Sequence, residues 1–305
     1  VNHGGKSFVQ VSDTGCGMSP EDAELAFQRH ATSKIASAED LTRIASFGFR
    51  GEALPSIAAV SRVKLVTSAR GDSAGTEISI EGGRTVYSKG AAAREGTMVE
   101  IRDLFFNTPA RRKFLRADST ELGHSQDTVS NIALAHLGVR FLFKSQDKVI
   151  FDLPPAANMR SRAAAIVGED VAKHLLEIKV QEAGIGIQGL IGRPAIARAN
   201  RSGQAFYVNR RWVRSFTLGY ALLEGYHGLL FHGQYPVAVV FVEVDPERVD
   251  VNVHPTKQEV RISNEPEIRS LLKKVVTQCL EKEGDLAPHH RLARSPQEAR
   301  GPQTA

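Results

Sequence analysis

The stretch Lys6-Ser7-Phe8-Val9-Gln10-Val11 alternates polar and apolar side chains and runs directly into Ser12-Asp13-Thr14-Gly15-Cys16-Gly17-Met18. A period of two marks a half-buried strand. Immediately afterwards, Ser19-Pro20-Glu21-Asp22 supplies a capping hydroxyl, a proline for the first helical position and acids for the first turn. The chain must therefore pass from strand to helix through a short glycine-bearing turn with a carboxylate, Asp13, at the end of the strand. Two readings of that turn are open. In one, Asp13 accepts a hydrogen bond from the exocyclic amine of an adenine, and Gly15 and Gly17 let the backbone approach the ring and adopt positive φ. In the other, Asp13 closes an Asx turn that joins strand to helix. Taken alone, the turn favours the second.

The first helix is expected to reach about Arg29, and a polar, loop-like stretch follows it. Residues 54–60 read as a short helix, with Gly51-Glu52-Ala53-Leu54 as its first turn. Strands are expected at 63–68, 75–81 and 97–102, joined by glycine-rich turns that suit an antiparallel or mixed sheet. Helical spacing at 119–137 precedes a strand pair at 140–144 and 148–152, and Leu153-Pro154-Pro155 then breaks the pattern. Beyond it, helices are expected at 161–167 and 169–175, strands at 186–191 and 204–208, a helix at 217–224, a strand at 235–244 and a last helix at 266–281.

A length of 305 residues fits two domains. The expected division is 1–155, 156–283 and a disordered tail at 284–305, poor in large apolar residues. With 42% hydrophobic and 24% charged residues the chain can build a core. No run approaches the ~20 apolar residues of a membrane span, so no membrane partner is expected, and the start lacks a signal-peptide layout. Cys16 and Cys279 form no ligand-spaced cluster, and they fit a reducing, cytoplasmic setting without structural zinc.

Several further groups could carry chemistry. In Gly48-Phe49-Arg50-Gly51-Glu52-Ala53-Leu54, two glycines precede a helix start, where backbone N–H groups can converge on an anion. No G-x-x-x-x-G-K-[ST] motif is present. The loop 32–47 has the length of a functional lid. Thr97, at a strand start, could support a carboxylate or water, or be only a β-branched strand residue. In Asp250-Val251-Asn252-Val253-His254-Pro255-Thr256-Lys257, a proline turn projects Lys257, a cation able to reach a phosphate. His3 and His254 lack ligand spacing, which argues against a metal hydrolase. Between Ile191 and Arg214 stand Arg193, Arg198, Arg201, Arg210, Arg211 and Arg214 with Phe206, Tyr207 and Trp212, and no acid. A second basic run is Arg111-Arg112-Lys113 with Arg116. Net charge is +5, and such patches suit phosphate backbones without base reading.

Taken in order, D-T-G-C-G-M, R-H-A-T-S-K-I, G-F-R-G-E-A-L, G-T, L-F-F-N-T-P-A-R-R-K-F-L, Y-V-N-R-R and D-V-N-V-H-P-T-K-Q-E-V-R closely resemble the N-terminal ATPase region of the MutL family of DNA mismatch repair proteins. That family shares a superfamily with gyrase B, the heat-shock chaperone and histidine kinases. The resemblance covers about residues 1–280. It implies an α+β protein in which an α/β-sandwich ATPase domain with a mixed sheet, truncated at its N-terminus, precedes a domain like the second domain of ribosomal protein S5. It also implies ATP with Mg²⁺ as cofactors. Asp13 would hold the adenine amine, Gly15 and Gly17 would shape the pocket, and Thr97 would assist. Thr32, Ser33 and Lys34 would open the lid, and the backbone of Gly48, Phe49, Arg50, Gly51, Glu52, Ala53 and Leu54 would wrap the phosphates. Lys257 would contact the γ-phosphate. Arg210, Arg211 and Arg214 would face DNA.

The resemblance further implies a bacterial cytosolic or nucleoid protein, homodimeric at full length. Its partners would be DNA, a mismatch-sensor protein and downstream repair enzymes. In the family, a helix ahead of the first strand carries the water-polarising glutamate and the Mg²⁺-binding asparagine, and neither is assignable here. The expectation is that the 305-residue chain hydrolyses ATP poorly or not at all, whereas the complete protein hydrolyses it. The alternatives are a non-catalytic DNA-binding and docking module of the same fold, or a type II topoisomerase ATPase subunit.

Overall fold

A computed structural model describes residues 1–28, 51–92, 94–250 and 260–285. The chain divides into two compact units, Val1–Ile166 and Val167–Ala305.

In the first unit a 3-10 turn at His3–Gly5 leads into β1 (Phe8–Asp13) and α1 (Pro20–Leu25). After α2 (Ala53–Ala58) come β2 (Arg62–Ser68), β3 (Gly75–Glu81), β4 (Arg84–Ala91) and β5 (Gly96–Arg102). α3 (Pro109–Arg112), α4 (Asp118–Ala135), the hairpin β6 (Phe141–Ser145) and β7 (Lys148–Leu153), and α5 (Met159–Val167) complete it. The division between the units falls within α5, after the proline break at Pro154-Pro155.

Five strands form one sheet in the order β1-β5-β2-β3-β4, each antiparallel to its neighbours. Alternation decides its faces. Val63 and Leu65 of β2 and Ile78 and Ile80 of β3 pack against Ala23 of α1 and Ala58 of α2. On the other face Glu77 gathers Lys64 at 3.0 Å, Lys89 at 3.4 Å and the Tyr87 hydroxyl at 2.8 Å. α1 starts as its sequence indicates, with Ser19 Oγ accepting the Asp22 N–H at 3.1 Å. It ends at Leu25, earlier than expected.

The second unit contains α6 (Glu169–Ala172), β8 (Leu175–Glu182), β9 (Ile185–Gly192), β10 (Gln204–Val208), β11 (Arg211–Val213), α7 (Phe216–Gly225) and β12 (Ala238–Glu243). A short pair, β13 (Val249–Asp250) with β14 (Arg261–Ile262), precedes α8 (Glu265–Lys282). Its five-stranded sheet runs β11-β10-β12-β9-β8. β10 and β12 are parallel, so the chain must cross over between them, through β11 and α7, and the other pairs are antiparallel. Leu218, Ala221 and Leu222 of α7 and Ile268, Leu272 and Val276 of α8 close one core with the sheet. The helix expected over 169–175 stops at Ala172, because Leu175 already begins β8. The α+β class expected from the sequence is the one observed. Among the described residues no helix is long and apolar enough to cross a membrane.

Candidate functional site

The ends of β1, β5 and β2 meet at the Asp13 turn. Asp13 is the register partner of Thr97, and Thr97 of Thr67, so the three side chains stand in a row on one sheet face. That face also carries Val63 and Leu65, and α1 and α2 pack on it. Thr67 is fully buried, and its Oγ1 accepts the Met18 N–H at 3.0 Å and donates to the Gly96 carbonyl at 3.1 Å. A hydroxyl has one proton, so the 3.0 Å contact between Thr67 and Thr97 must use the Thr97 proton. Thr97 Oγ1 is thereby left as an acceptor.

Two glycines make this junction possible. Gly17 has φ +66°, and a Cβ there would lie 1.8 Å from the Ser68 carbonyl oxygen. Gly96 has φ +116°, and its Cβ would lie 2.2 Å from the Asp13 carbonyl oxygen. A backbone bond from Arg70 N–H to the Cys16 carbonyl, at 3.0 Å, ties the turn to the end of β2. Asp13 Oδ1 accepts the Gly15 N–H at 2.9 Å, which is the Asx turn of the second reading. Asp13 is exposed, and among the described residues no donor is bonded to its second carboxylate oxygen. The two readings are therefore compatible: one oxygen shapes the turn and the other can receive a ligand donor.

α2 is fixed from its C-terminal end. Asn107 Nδ2 donates to the Ala59 carbonyl at 2.9 Å, and Phe105 N–H to the Val60 carbonyl at 2.7 Å. Asp103 and Phe105 adopt positive φ, 53° and 64°, in this tight segment. Arg62 braces it by bonding Asp103 at 2.6 Å and Glu81 at 3.0 Å, with its guanidinium 4.7 Å from the Phe106 ring centre. At the other end Gly51 has φ 60°, and Glu52 and Ala53 are exposed with Leu54 half-buried. Thr32, Ser33, Lys34, Gly48, Phe49, Arg50 and Lys257 lie outside the described residues.

In the second unit, Asn209 and Arg210, with φ 48° and 65°, form the two-residue turn between β10 and β11. Asn209 Oδ1 accepts the Val244 N–H at 3.0 Å and fixes the turn. Arg210 and Arg214 are exposed, and the Arg214 guanidinium lies 5.6 Å from the Trp212 ring centre. Arg211 is only 9% exposed, and burial pushes its guanidinium below the ordinary value. Phe206 and Tyr207 are core residues: Tyr207 is fully buried and stacks on Phe241 at 4.3 Å. Arg193 is engaged by Glu283 and Asp285. Sequence reasoning missed Thr67. The available signal was alternation: Thr67 falls in phase with Val63 and Leu65, so a hydroxyl stands on the apolar face of the strand. Among the described residues no three His, Cys, Asp or Glu side chains are grouped to hold a metal ion.

The comparisons with known proteins agree with one another. Residues 163–281 match a family model described as DNA mismatch repair protein, C-terminal domain. The chain is 49% identical over 270 residues to the DNA mismatch repair protein MutL of Symbiobacterium thermophilum, covering 88% of this chain and 42% of that protein. It is 47% identical to MutL of Opitutus terrae, covering 93% of this chain and 45% of that one. The chain thus spans less than half the length of these curated relatives. Among solved structures, the N-terminal domain of a DNA repair protein superposes with a TM-score of 0.77 at 20% identity, covering 93% of this chain and 88% of the other. The Aquifex aeolicus MutL ATPase domain complexed with ADP superposes with a TM-score of 0.61 at 23% identity, covering 88% and 86%. These superpositions establish the fold.

Proposed function

Because the chain belongs to the MutL family of DNA mismatch repair proteins, we propose that its first unit is a nucleotide-binding unit that takes the adenine of ATP at the Asp13 turn. The observation that carries this is the junction of β1, β5 and β2. It offers an exposed carboxylate oxygen on Asp13 and an acceptor on Thr97, in a turn whose backbone packs closely against Ser68 at Gly17. An adenine presents an exocyclic amine with two protons, which fits acceptors and not donors. The residues present therefore fit the group. Asp13 orients the base through that amine, and Thr97, held by Thr67, supports the same edge directly or through a water.

ATP, when bound, supplies the phosphate charge and the free energy of its hydrolysis. The phosphates fall to the backbone of Gly48, Phe49, Arg50, Gly51, Glu52, Ala53 and Leu54, with Thr32, Ser33 and Lys34 in the lid and Lys257 at the γ-phosphate. Mg²⁺ belongs to the same reading; among the described residues no group of three His, Cys, Asp or Glu side chains could hold it. Hydrolysis is proposed for the complete protein. There the nucleotide state would govern dimerisation and the response to a mismatch-sensor protein and downstream repair enzymes.

The second unit contributes a basic surface for a DNA backbone. Arg210 and Arg214, both exposed, suit phosphate contacts. Arg211, mostly buried beside them, suits shaping the hairpin that presents them. Binding there should weaken steeply with salt, because counterions are released as phosphates are neutralised. Charge reversal at Arg210 and Arg214 is expected to lower both affinity and salt slope, and an unchanged slope would move the DNA surface elsewhere.

Calorimetric titration of ATP into the wild-type protein and Asp13→Ala tests the nucleotide reading. Loss of a hydrogen bond to a charged acceptor should weaken binding roughly ten- to hundredfold. Equal affinities would remove Asp13 from the site. Lys257→Ala should leave adenine recognition intact and lower turnover in the complete protein.

A further inference from the structure

From Ala183 to Leu223 the chain contains no acidic residue, and it folds to place an arginine among aromatic rings at the surface of the second unit. The Arg201 guanidinium lies 4.8 Å from the Tyr220 ring centre, 5.1 Å from Tyr235 and 5.4 Å from Phe216. Phe216 and Tyr220 are one helical turn apart on α7, on the same side of the helix. Both stand out of the protein, 73% and 53% exposed. An amphipathic helix at the edge of a core should bury such rings, and α7 does bury Leu218, Ala221 and Leu222 on its other side. The two aromatics are therefore not core residues that strayed outward.

Among the described residues, the arginines around this cluster differ from those elsewhere in the chain. Arg62, Arg70, Arg102, Arg140, Arg193 and Arg269 each bond a carboxylate. Arg198, Arg201, Arg210 and Arg214 bond none among the described residues. Arg198 is exposed, and its backbone is joined to that of Tyr235 by paired bonds of 2.8 and 2.7 Å, so the two residues are neighbours. Open π-faces flanked by unpaired arginines match the chemistry of a single nucleic-acid strand, whose unstacked bases lie against rings while its phosphates meet cations. A duplex hides its base faces and offers only phosphates to such a surface.

We infer that Phe216 and Tyr220, with Arg201 between them, form a stacking platform for the bases of single-stranded DNA. This rests on the reading of the second unit as a DNA-binding surface, and adds to it the form of the DNA and the residues that recognise it. Arg201 holds the rings in place through their inner faces, and their outer faces take the bases. Arg198 and Arg214 supply the flanking phosphate contacts.

Fluorescence anisotropy of the full chain against three probes tests this: an oligothymidylate, a duplex of equal length, and an abasic deoxyribose-phosphate strand of equal length. The wild type should bind the thymidylate more tightly than the abasic strand. Replacing both rings, Phe216→Ala with Tyr220→Ala, should weaken the thymidylate by about tenfold. Duplex affinity and the salt slope should stay unchanged, and Phe216→Trp should keep single-strand binding. Both rings are exposed, so the double variant should retain its thermal midpoint. Equal wild-type affinity for base-bearing and abasic strands, or equal losses on strand and duplex, overturns the platform. So does unchanged binding by the double variant, which would leave the patch to a protein partner. If the wild type binds none of the three probes, the DNA-binding reading itself fails, an outcome distinct from failure of the platform alone.

Discussion

The sheet ends around Asp13 and the core between α7 and α8 solve opposite problems. In the second unit, Leu218, Leu222, Ile268, Leu272 and Val276 are buried to 1% exposure or less, and the sheet beneath them is almost wholly aliphatic. Order there comes from apolar area removed from water, which is strong and non-directional. At the Asp13 junction the order comes from directional bonds: one buried threonine of β2 joins the start of β5 to the segment that leads into α1, and two glycines let carbonyls approach where no side chain fits. An apolar core tolerates exchange of one hydrocarbon for another of like volume, and a polar junction does not. Function is placed accordingly: the core supplies rigidity, and the junction supplies open acceptors at a fixed spacing.

Substitutions can break this contrast. Leu272→Ala should destabilise the second unit most, by about 2–5 kcal/mol, the range for emptying a packed leucine site. Chemical denaturation would show this, and adenine recognition by the first unit should persist at temperatures where the variant stays folded. If nucleotide affinity collapsed in parallel, the two units would not be energetically separable. Thr67→Val is nearly isosteric, yet it leaves the Met18 N–H and the Gly96 carbonyl without their buried partner. A loss of about 1–3 kcal/mol is expected, together with weakened nucleotide binding. A neutral Thr67→Val would mean that packing, not hydrogen bonding, holds the junction.

The smallest effect is electrostatic. Hydrogen bonds from Lys64 and then Tyr87, with the Lys64 charge, hold the Glu77 carboxylate down to about 2 from its ordinary 4.5. A carboxylate with a lowered value stabilises the fold above its ordinary value, and that contribution is lost as pH falls through the folded value. Thermal midpoints should therefore decline between pH 4.5 and pH 2, and Glu77→Gln should flatten that part of the profile. An identical acid limb in the variant would remove Glu77 from the account.

Legibility in the sequence followed the same division. β2, β3 and β5 were readable because one of their faces is buried, so alternation shows. β4 was not, since Arg84, Thr85, Val86, Tyr87, Ser88 and Lys89 are exposed on both faces and carry no period. β8 was lost because the helix signal at Gly168-Glu169-Asp170 hid the alternation that starts only after Leu175. The Asp13 turn was recognisable from its glycines, yet its meaning was ambiguous until the partners arrived. Thr67 lies far from Asp13 in sequence, and its place on the apolar face of β2 does not tell which groups its hydroxyl joins. Phe206 and Tyr207 looked like surface aromatics among arginines. Strand pairing turned them into the core and left the exposed role to Phe216 and Tyr220.

Asp13→Asn probes adenine recognition at the turn itself, with the affinities of ATP and GTP measured on wild type and variant by competition against a fluorescent nucleotide. A carboxylate acceptor favours the amine of adenine and repels the carbonyl oxygen at the equivalent place on guanine. An amide can turn its N–H₂ towards that oxygen. The variant should lose affinity for ATP and gain for GTP, shifting the ratio by roughly tenfold or more. An unchanged ratio, with ATP bound as before, would contradict it.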